Sequence, residues 1–127
     1  AFNNFEEKKV AQNETATKSN SFFVKVGNKY KKIEWQKVVA LISDKKYTKI
    51  LVANDNVEYF IGNTLPKTLQ NILPPHLQNN FVQINRAEVV NTEYITELKS
   101  STITTLHHIF EATDGYLPEL KNRLNLV

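Results

Sequence analysis

The chain has 127 residues, of which 41% are hydrophobic, and it contains no cysteine. This length predicts one domain with a modest core, and the lack of cysteine excludes disulfides, thiolate catalysis and cysteine-ligated zinc. The longest purely apolar run, residues 38–42, has five residues, whereas a membrane span needs about 20. We therefore expect no membrane partner and a cytoplasmic location.

The net charge of +3 is unevenly distributed along the chain. Residues 21–50 carry eight lysines and two acidic residues, a net +6, whereas residues 51–127 carry a net −3. Such a positive segment suits a polyanion such as nucleic acid. A solvated lysine surface without a ligand explains the same charge, so both interpretations stay open.

The first part of the chain divides into a polar arm and a β-rich start. Residues 1–20 show no sustained apolar period, which predicts a flexible linker, with the ordered domain over residues 21–127. Gly27-Asn28 separates two β-prone runs and predicts a hairpin. Trp35, Val38, Val39 and Ile42 recur at helical spacing, but residues 39–42 could equally form a buried strand, so this segment stays ambiguous.

A second hairpin and a helix are predicted next. Two β-prone runs, residues 47–53 and 57–61, flank three turn-forming residues at 54–56. The following helix has Thr64 as its N-cap and Pro66 in its first turn. Its apolar stripe consists of Leu65, Leu69, Ile72 and Leu73, and Pro74-Pro75 end it.

The last third is predicted to hold short strands and a C-terminal helix. Residues 93–99 and 101–110 are rich in Thr and Ile and read as strands. Asp114 is placed to cap a helix that carries Pro118 in its first turn. The helix stripe consists of Tyr116, Leu117, Leu120 and Leu124. The fold class is therefore mainly β (α+β).

No catalytic or metal-binding motif is present in the sequence. The chain has only three glycines, too few for a phosphate-cradling loop. Adjacent His107 and His108 on a strand would point to opposite faces and would not share a metal. We expect no enzyme activity, no cofactor and no metal, and an enzyme with distant acid and base residues stays the third alternative.

Two short stretches have residue types that suit contact with DNA. Lys45 and Lys46 lie between two apolar runs, where lysines can bind phosphates, and Tyr47 could pack on a sugar or base or cover the sheet edge. Asn85 and Arg86, one of two arginines, interrupt an apolar β-prone run at residues 81–91. Arg86 could pair with guanine or form a surface salt bridge, and Asn85 could read adenine or bind a phosphate.

The order of these segments resembles the LytTR DNA-binding domain, the output module of many bacterial two-component response regulators. The resemblance covers residues 21–127. Its most specific part is residues 65–98, a short helix ending in Leu-Pro, then a Phe-x-x-hydrophobic-His-Arg-Ser-x-hydrophobic-Val-Asn pattern and a Tyr-Ile strand. Here the core of that pattern reads Phe81, Ile84, Asn85, Arg86, Ala87, Val90 and Asn91. Residues 112–124 resemble the family's closing Ser-x-x-Tyr-x-x-x-Leu.

The resemblance implies an elongated, antiparallel β fold that docks on duplex DNA through loops, with short helices and a C-terminal helix. It places the DNA contacts at Lys45, Lys46 and Tyr47, at Asn85, Arg86 and Ala87, and at Thr113, Asp114 and Gly115. Asn85 and Ala87 stand where the family usually has His and Ser, and Asp114 and Gly115 stand where it often has Arg. With this resemblance, Asn85-Arg86 is predicted to form an exposed step between two strands.

The expected function is sequence-specific binding of double-stranded promoter DNA, as the output domain of a transcriptional response regulator. A receiver domain N-terminal to the linker is expected in the full-length protein, and a dimer on DNA is left open. Ala87 and Asp114 motivate an alternative, a protein-interaction module with the LytTR fold that has lost most DNA binding. Lys45, Lys46 and Arg86 on one face would favour DNA, whereas scattered cations beside an exposed apolar strip would favour a protein partner.

Overall fold

A computed structural model of the chain describes residues 20–127, and most of the predicted linker lies outside this part. Within residues 20–127 the strands form three antiparallel sheets. The strands are β1 Ser21–Val26, β2 Lys29–Glu34, β3 Val38–Asp44, β4 Tyr47–Val52, β5 Tyr59–Ile61, β6 Phe81–Asn85, β7 Glu88–Asn91, β8 Glu97–Lys99, β9 Thr102–Thr104 and β10 Ile109–Glu111. The helices are α1 Leu65–Asn71 and α2 Leu117–Leu124, with 3-10 helices at Trp35–Lys37, Pro75–Asn80, Thr92–Tyr94 and Asp114–Tyr116. The predicted fold class is confirmed.

The central sheet has the strand order β5-β4-β3-β7-β6 and is buried on both faces. Neighbouring residues of β3 show this directly, because Leu41 belongs to one apolar cluster and Ala40 to the other. Successive side chains of a strand point to opposite faces, and a sheet covered on both faces needs apolar residues at every position. This explains why residues 38–42 form an uninterrupted apolar run, and it resolves the helix-or-strand ambiguity in favour of a strand.

Each face of the central sheet is covered by a different layer. On one face, Val24 and Ile33 of the β1–β2 hairpin and Leu65 of α1 pack on the sheet. On the other face, Ile103 of the β10-β9-β8 sheet and Leu120 of α2 do so. All five side chains are less than one tenth exposed. The two layers fix the central sheet between them.

The two predicted hairpins are confirmed, and their turns explain them. Gly27 has a φ of 61°, a left-handed conformation that costs glycine nothing. In the second turn, Asn54 has a φ of 61°, and the Asp55 carboxylate accepts hydrogen bonds from the Val57 N–H at 2.9 Å and the Tyr59 hydroxyl at 2.7 Å. Both bonds lower the pKa of Asp55, and the bond from the Val57 N–H has the larger effect.

The prediction for α1 is confirmed in position but not in the detail of its cap. The helix begins after Thr64 with Pro66 in its first turn. The Thr64 side chain makes no capping bond, and its backbone carbonyl instead accepts the Thr68 N–H at 2.9 Å. A 3-10 helix, Pro75–Asn80, follows because a proline cannot continue the α-helix.

The prediction of two long strands over residues 93–110 was only partly right. The second run is split by a turn that Thr105 closes, since its hydroxyl donates to the His108 carbonyl at 2.8 Å and accepts the His108 N–H at 3.3 Å. His107 and His108 therefore lie in a turn rather than on a strand, and both are exposed. The expectation that they would lie on a strand was wrong.

The predicted C-terminal helix is present, but Asp114 does not cap it. Asp114 begins a 3-10 helix, Asp114–Tyr116, and α2 starts one turn later with Tyr116 as its N-cap. Pro118 lies in the first turn of α2, as expected. Among the helices of residues 20–127, none is long and apolar enough to cross a membrane.

Candidate nucleic-acid interface

The first predicted DNA-binding loop is the tight turn between β3 and β4. Lys45 and Lys46 form the turn, and Lys45 has a φ of 58°. Both side chains are exposed, and neither forms an ion pair with another residue of the described chain. Tyr47, the first residue of β4, is 53% exposed. Two free ammonium groups and a phenol ring therefore face solvent at one turn.

The second loop is the turn between β6 and β7, formed by Arg86 and Ala87. The apolar residues around it, among them Ile84 and Val89, are buried. Arg86 is exposed, and its guanidinium has no hydrogen-bond or ion-pair partner among residues 20–127. The salt-bridge interpretation of Arg86 is therefore wrong for the described chain. The predicted exposed step is present for Arg86 but not for Asn85, which is the last residue of β6 and is half-buried.

The Asn85 side chain holds this second turn in place. Its Oδ1 accepts the Ala87 N–H at 2.8 Å, and its Nδ2 donates to the Glu88 carboxylate at 2.8 Å and to the Glu111 carbonyl at 3.0 Å. To read adenine, an asparagine needs both its Nδ2 and its Oδ1. Here both atoms already have partners within the protein, so the geometry favours a positioning role for Asn85. The preference of Asn for turns that it bonds itself was the available sequence signal.

The third loop, Thr113 to Gly115, is attached to the edge of β6. The Thr113 N–H donates to the Ile84 carbonyl at 2.9 Å, and the Thr113 carbonyl accepts the Tyr116 N–H at 2.9 Å. Thr113, Asp114 and Gly115 are exposed. The loop is thus fixed through its backbone, and its side chains remain free to contact a ligand.

Hydrogen bonds bring the three loops to one end of the central sheet. The Ser43 N–H, next to the first loop, donates to the Ala87 carbonyl in the second loop at 2.7 Å. The bonds of Asn85 to Glu111 and of Thr113 to Ile84 join the second loop to the third. We call this end, with residues 45–47, 85–87 and 113–115, the loop end.

Four carboxylates lie at or beside the loop end, those of Asp44, Glu88, Glu111 and Asp114, and two of them have donors within the described chain. Glu88 accepts from Asn85. The Glu111 carboxylate accepts hydrogen bonds from the hydroxyls of Ser101 and Thr102. Both bonds lower the pKa of Glu111, and the bond from Ser101 has the larger effect. These supporting residues were not identified from the sequence. Because Lys45, Lys46 and Arg86 have no ion-pair partner among residues 20–127, these cations rather than the Glu88 and Glu111 carboxylates are the groups available to bind an anionic ligand.

The two arginines of the chain have different environments. Arg123 in α2 donates to the Glu119 carboxylate at 2.6 Å and to the carbonyls of Asn79 and Phe81 at 3.0 and 3.3 Å. It therefore joins α2 to the start of β6. Arg86 has no such partners in the part of the chain that the structure describes, and its charge is available there to a ligand.

The lysine-rich segment does not form a single patch. Lys37 and Lys45 flank opposite ends of β3, and a strand of that length spans about 20 Å. Lys31, Lys32 and Lys37 lie near Asn54 at the end away from the loop end. The structure thus divides the predicted positive field into two parts.

The part of the chain that the structure describes contains no cluster of metal ligands and no acid–base pair in the groove beside α1. Among residues 20–127, no three His, Asp or Glu side chains lie together as metal ligands. An open groove of about 520 Å³ lies between α1, β6 and α2 and is lined by apolar residues, among them Leu69, Leu73 and Phe81, and by several amides. Within residues 20–127, the ionisable groups that line it are Tyr116, Glu119 and the paired Arg123. This groove holds no candidate acid and base pair.

The comparisons identify the class to which this fold and these loops belong. The family profile of the LytTr DNA-binding domain matches residues 28–125. The chain therefore belongs to the LytTr DNA-binding domain family, whose members are typical output domains of response regulators. The resemblance seen in the sequence is confirmed.

A solved structure supports the same fold. A LytTr DNA-binding domain from Bacillus cereus, described as part of a methyl-accepting/DNA response regulator, superposes with a TM-score of 0.68 and 16% identity. The match covers 85% of this chain and 99% of that one. A search of the curated proteins found no significant match.

Proposed function

We propose that this domain binds duplex promoter DNA sequence-specifically through the loop end, as the output domain of a transcriptional response regulator. The observation that carries the proposal is the convergence of Lys45, Lys46 and Arg86, all unpaired within the described chain, on turns at one end of the sheet. Because these three cations share one end of the sheet, the arrangement supports a DNA-binding surface more than a solvated surface with scattered charges.

The two lysines and the arginine have different proposed roles. Lys45 and Lys46 neutralise phosphates, which positions the protein without reading sequence. Arg86 reads a base, because a guanidinium can pair with the O6 and N7 of guanine in the major groove. Its turn is held by Asn85 and by the bond from Ser43 to Ala87, so the guanidinium projects from a fixed backbone. Tyr47 packs on the sugar-phosphate backbone.

The residues that differ from the family pattern have roles of their own in this proposal. Ala87 lacks a hydroxyl, but its carbonyl and N–H both hold the turn, so it contributes through its backbone. Asp114 is exposed at the third loop, where its carboxylate could accept a hydrogen bond from cytosine N4. Thr113 and Gly115 offer a hydroxyl and an unobstructed backbone beside it.

Several wider features of the proposal rest on the family alone. A receiver domain would precede the linker of residues 1–20 in the full-length protein, and the protein would act in the cytoplasm. A dimer on DNA would place two loop ends on the same face of the duplex.

Selection of bound sequences from a random pool of duplex DNA tests the proposal. We expect enrichment of one motif by the wild-type chain. Lys121, an exposed lysine on α2, provides a control, since Lys121→Ala should enrich the same motif. If no sequence is enriched over the starting pool at low salt, the proposal is wrong and the alternative of a protein-interaction module is favoured.

A further inference from the structure

The outer face of the β1–β2 hairpin carries two exposed aromatic rings. Phe23 is 63% exposed and Tyr30 is 67% exposed. The neighbouring residues Val24 and Ile33 point inward and are buried against the central sheet. Single exposed apolar residues are ordinary on protein surfaces, but two rings on one face of a hairpin offer a partner a larger apolar contact.

Each ring lies directly across from a lysine. In the hairpin register, Phe23 pairs with Lys32 and Tyr30 pairs with Lys25. Side chains that are paired directly lie on the same face. Each ring therefore has one lysine opposite it on the other strand and one lysine two residues away on its own strand. We call these four residues the hairpin face. Neither lysine forms an ion pair with another residue of the described chain.

The hairpin face shares no residue with the loop end, and the base of the hairpin lies toward the opposite end of the central sheet. The C-terminal half of β2 lies near Lys37 and Asn54, and Lys37 and Lys45 flank opposite ends of β3. Because β3 spans about 20 Å, the base of the hairpin is well removed from the proposed DNA contacts. A ligand on this face would not need the residues assigned to DNA.

The β1–β2 sheet has no third strand among the described strands, so the outer edge of β2 pairs with no described strand. An extended polypeptide has the same two-residue side-chain period as a strand, and it can add main-chain hydrogen bonds at such an edge. Its carboxylates would face the lysines and its apolar side chains would face the rings.

We propose that the hairpin face is a docking surface for an acidic protein segment that carries aromatic or aliphatic side chains between its carboxylates. The two lysines supply the charge complementarity, and Phe23 and Tyr30 supply the apolar contact, consistent with the enrichment of aromatic residues in protein interfaces. Duplex DNA is a poorer match, because its bases are stacked and only its sugars are left for two rings to contact. The proposal does not depend on the DNA-binding function.

Titration of the isotope-labelled 127-residue chain followed by amide NMR tests the proposal. The probes are a random copolymer of glutamate and tyrosine, polyglutamate as a charge-only reference, and oligothymidylate as a single-stranded nucleic acid. We expect saturable shifts on β1 and β2 with the copolymer and weaker binding by the other two probes. The Phe23→Ser/Tyr30→Ser variant should bind the copolymer about tenfold more weakly or worse.

Matched variants separate the hairpin face from charge or ring content in general. Lys25→Glu/Lys32→Glu should weaken copolymer binding about tenfold, whereas Lys67→Glu/Lys121→Glu, with the same change in net charge, should leave it unchanged. Both control lysines are exposed and lie on other elements. Phe60→Ser, at a residue 43% exposed on β5, should also have no effect.

Several results would overturn the proposal. Absence of saturable copolymer binding, shifts confined to the loop end, or equal loss in both charge-reversal variants would each do so. Tighter binding of oligothymidylate would identify a nucleic-acid surface instead, and concentration-dependent shifts of the hairpin without a probe would identify a contact between copies. Unchanged amide shifts of the central sheet in each variant show that its fold is intact.

Discussion

Removal of the Asn85 side chain tests whether this residue holds the Arg86 turn. Asn85→Ala removes three hydrogen bonds, to Ala87, Glu88 and Glu111. A protein hydrogen bond contributes about 1 kcal/mol net, and partial exposure of the site lets water replace part of the loss. We expect a destabilisation of about 2 kcal/mol, which lowers Tm by roughly 10 °C for a domain of this size.

Urea denaturation of the wild-type and variant chains measures this loss. Asn56→Ala is the matched control, because Asn56 lies exposed in the β4–β5 turn and its side chain has no hydrogen bond to the described chain. It should change the free energy of unfolding by less than about 0.5 kcal/mol. If Asn85→Ala has an equally small effect, the positioning role of Asn85 is wrong.

Asn85→Asp adds a pH-dependent test of the same geometry. The introduced carboxylate keeps the acceptor for the Ala87 N–H but loses both donors, and it faces the carboxylate of Glu88. The like charge raises its folded-state pKa, so the variant loses stability as pH rises through the carboxyl range. We expect it to be less stable than Asn85→Ala at pH 7 and to recover below about pH 4. Equal stability of both variants across this range would refute the predicted contact.

The remaining predictions concern charge and turns. Lys46→Ala should weaken binding to all DNA sequences alike and reduce the slope of log affinity against log salt by about 1. The exposed control Lys67→Ala should leave the slope unchanged. An unchanged slope for Lys46→Ala would show that Lys46 contacts no phosphate. Asp55→Asn should lower Tm at neutral pH, because a lowered folded-state pKa stabilises the protein above the ordinary carboxyl pKa, and this contribution is lost as pH falls through the folded value. Thermal melts should show the difference shrink as pH falls below the ordinary carboxyl range, and a pH-independent difference would contradict the assignment. Gly27→Ala should lower the free energy of unfolding in urea by about 1 kcal/mol, because Gly27 has a φ of 61°. Gly27→Asn should lower it less, since asparagine tolerates this conformation. Equal stability of the wild type and both variants would contradict the left-handed conformation of this turn.

The sequence was informative where one local rule determined the structure. The turn at Gly27-Asn28, the prolines around α1 and the apolar residues flanking Arg86 each predicted an element that the structure contains. The order of these segments also identified the family, although identity to the superposed structure is only 16%. The order of segments therefore carried more information than individual residues did.

Other features depended on contacts between distant parts of the chain. Whether Arg86 or Arg123 was free could not be read from the sequence, because the carbonyls that bind Arg123 come from Asn79 and Phe81, more than 40 residues earlier. The same limit applied to Asn85, whose partner Glu111 belongs to another sheet. The turn at Thr105 was missed because Thr and Ile residues favour strands on both sides of it.

The division of the lysines had a similar cause. Residues 21–50 are contiguous in sequence, but β3 carries the chain from one end of the central sheet to the other. A net charge of +6 along the sequence therefore becomes two separate surfaces, the loop end and the hairpin. Two surfaces of this kind are compatible with one domain that binds DNA and a protein partner simultaneously.

The most direct test of the central proposal is a binding cycle between Arg86 and the base that it reads. Wild type and Arg86→Ala would be titrated against the selected site and against versions with one base pair changed at each position in turn. We predict that one position shows a coupling energy of about 1–3 kcal/mol, with the other positions unaffected. Uniform discrimination by both proteins at every position would show that Arg86 reads no base and would contradict the proposal.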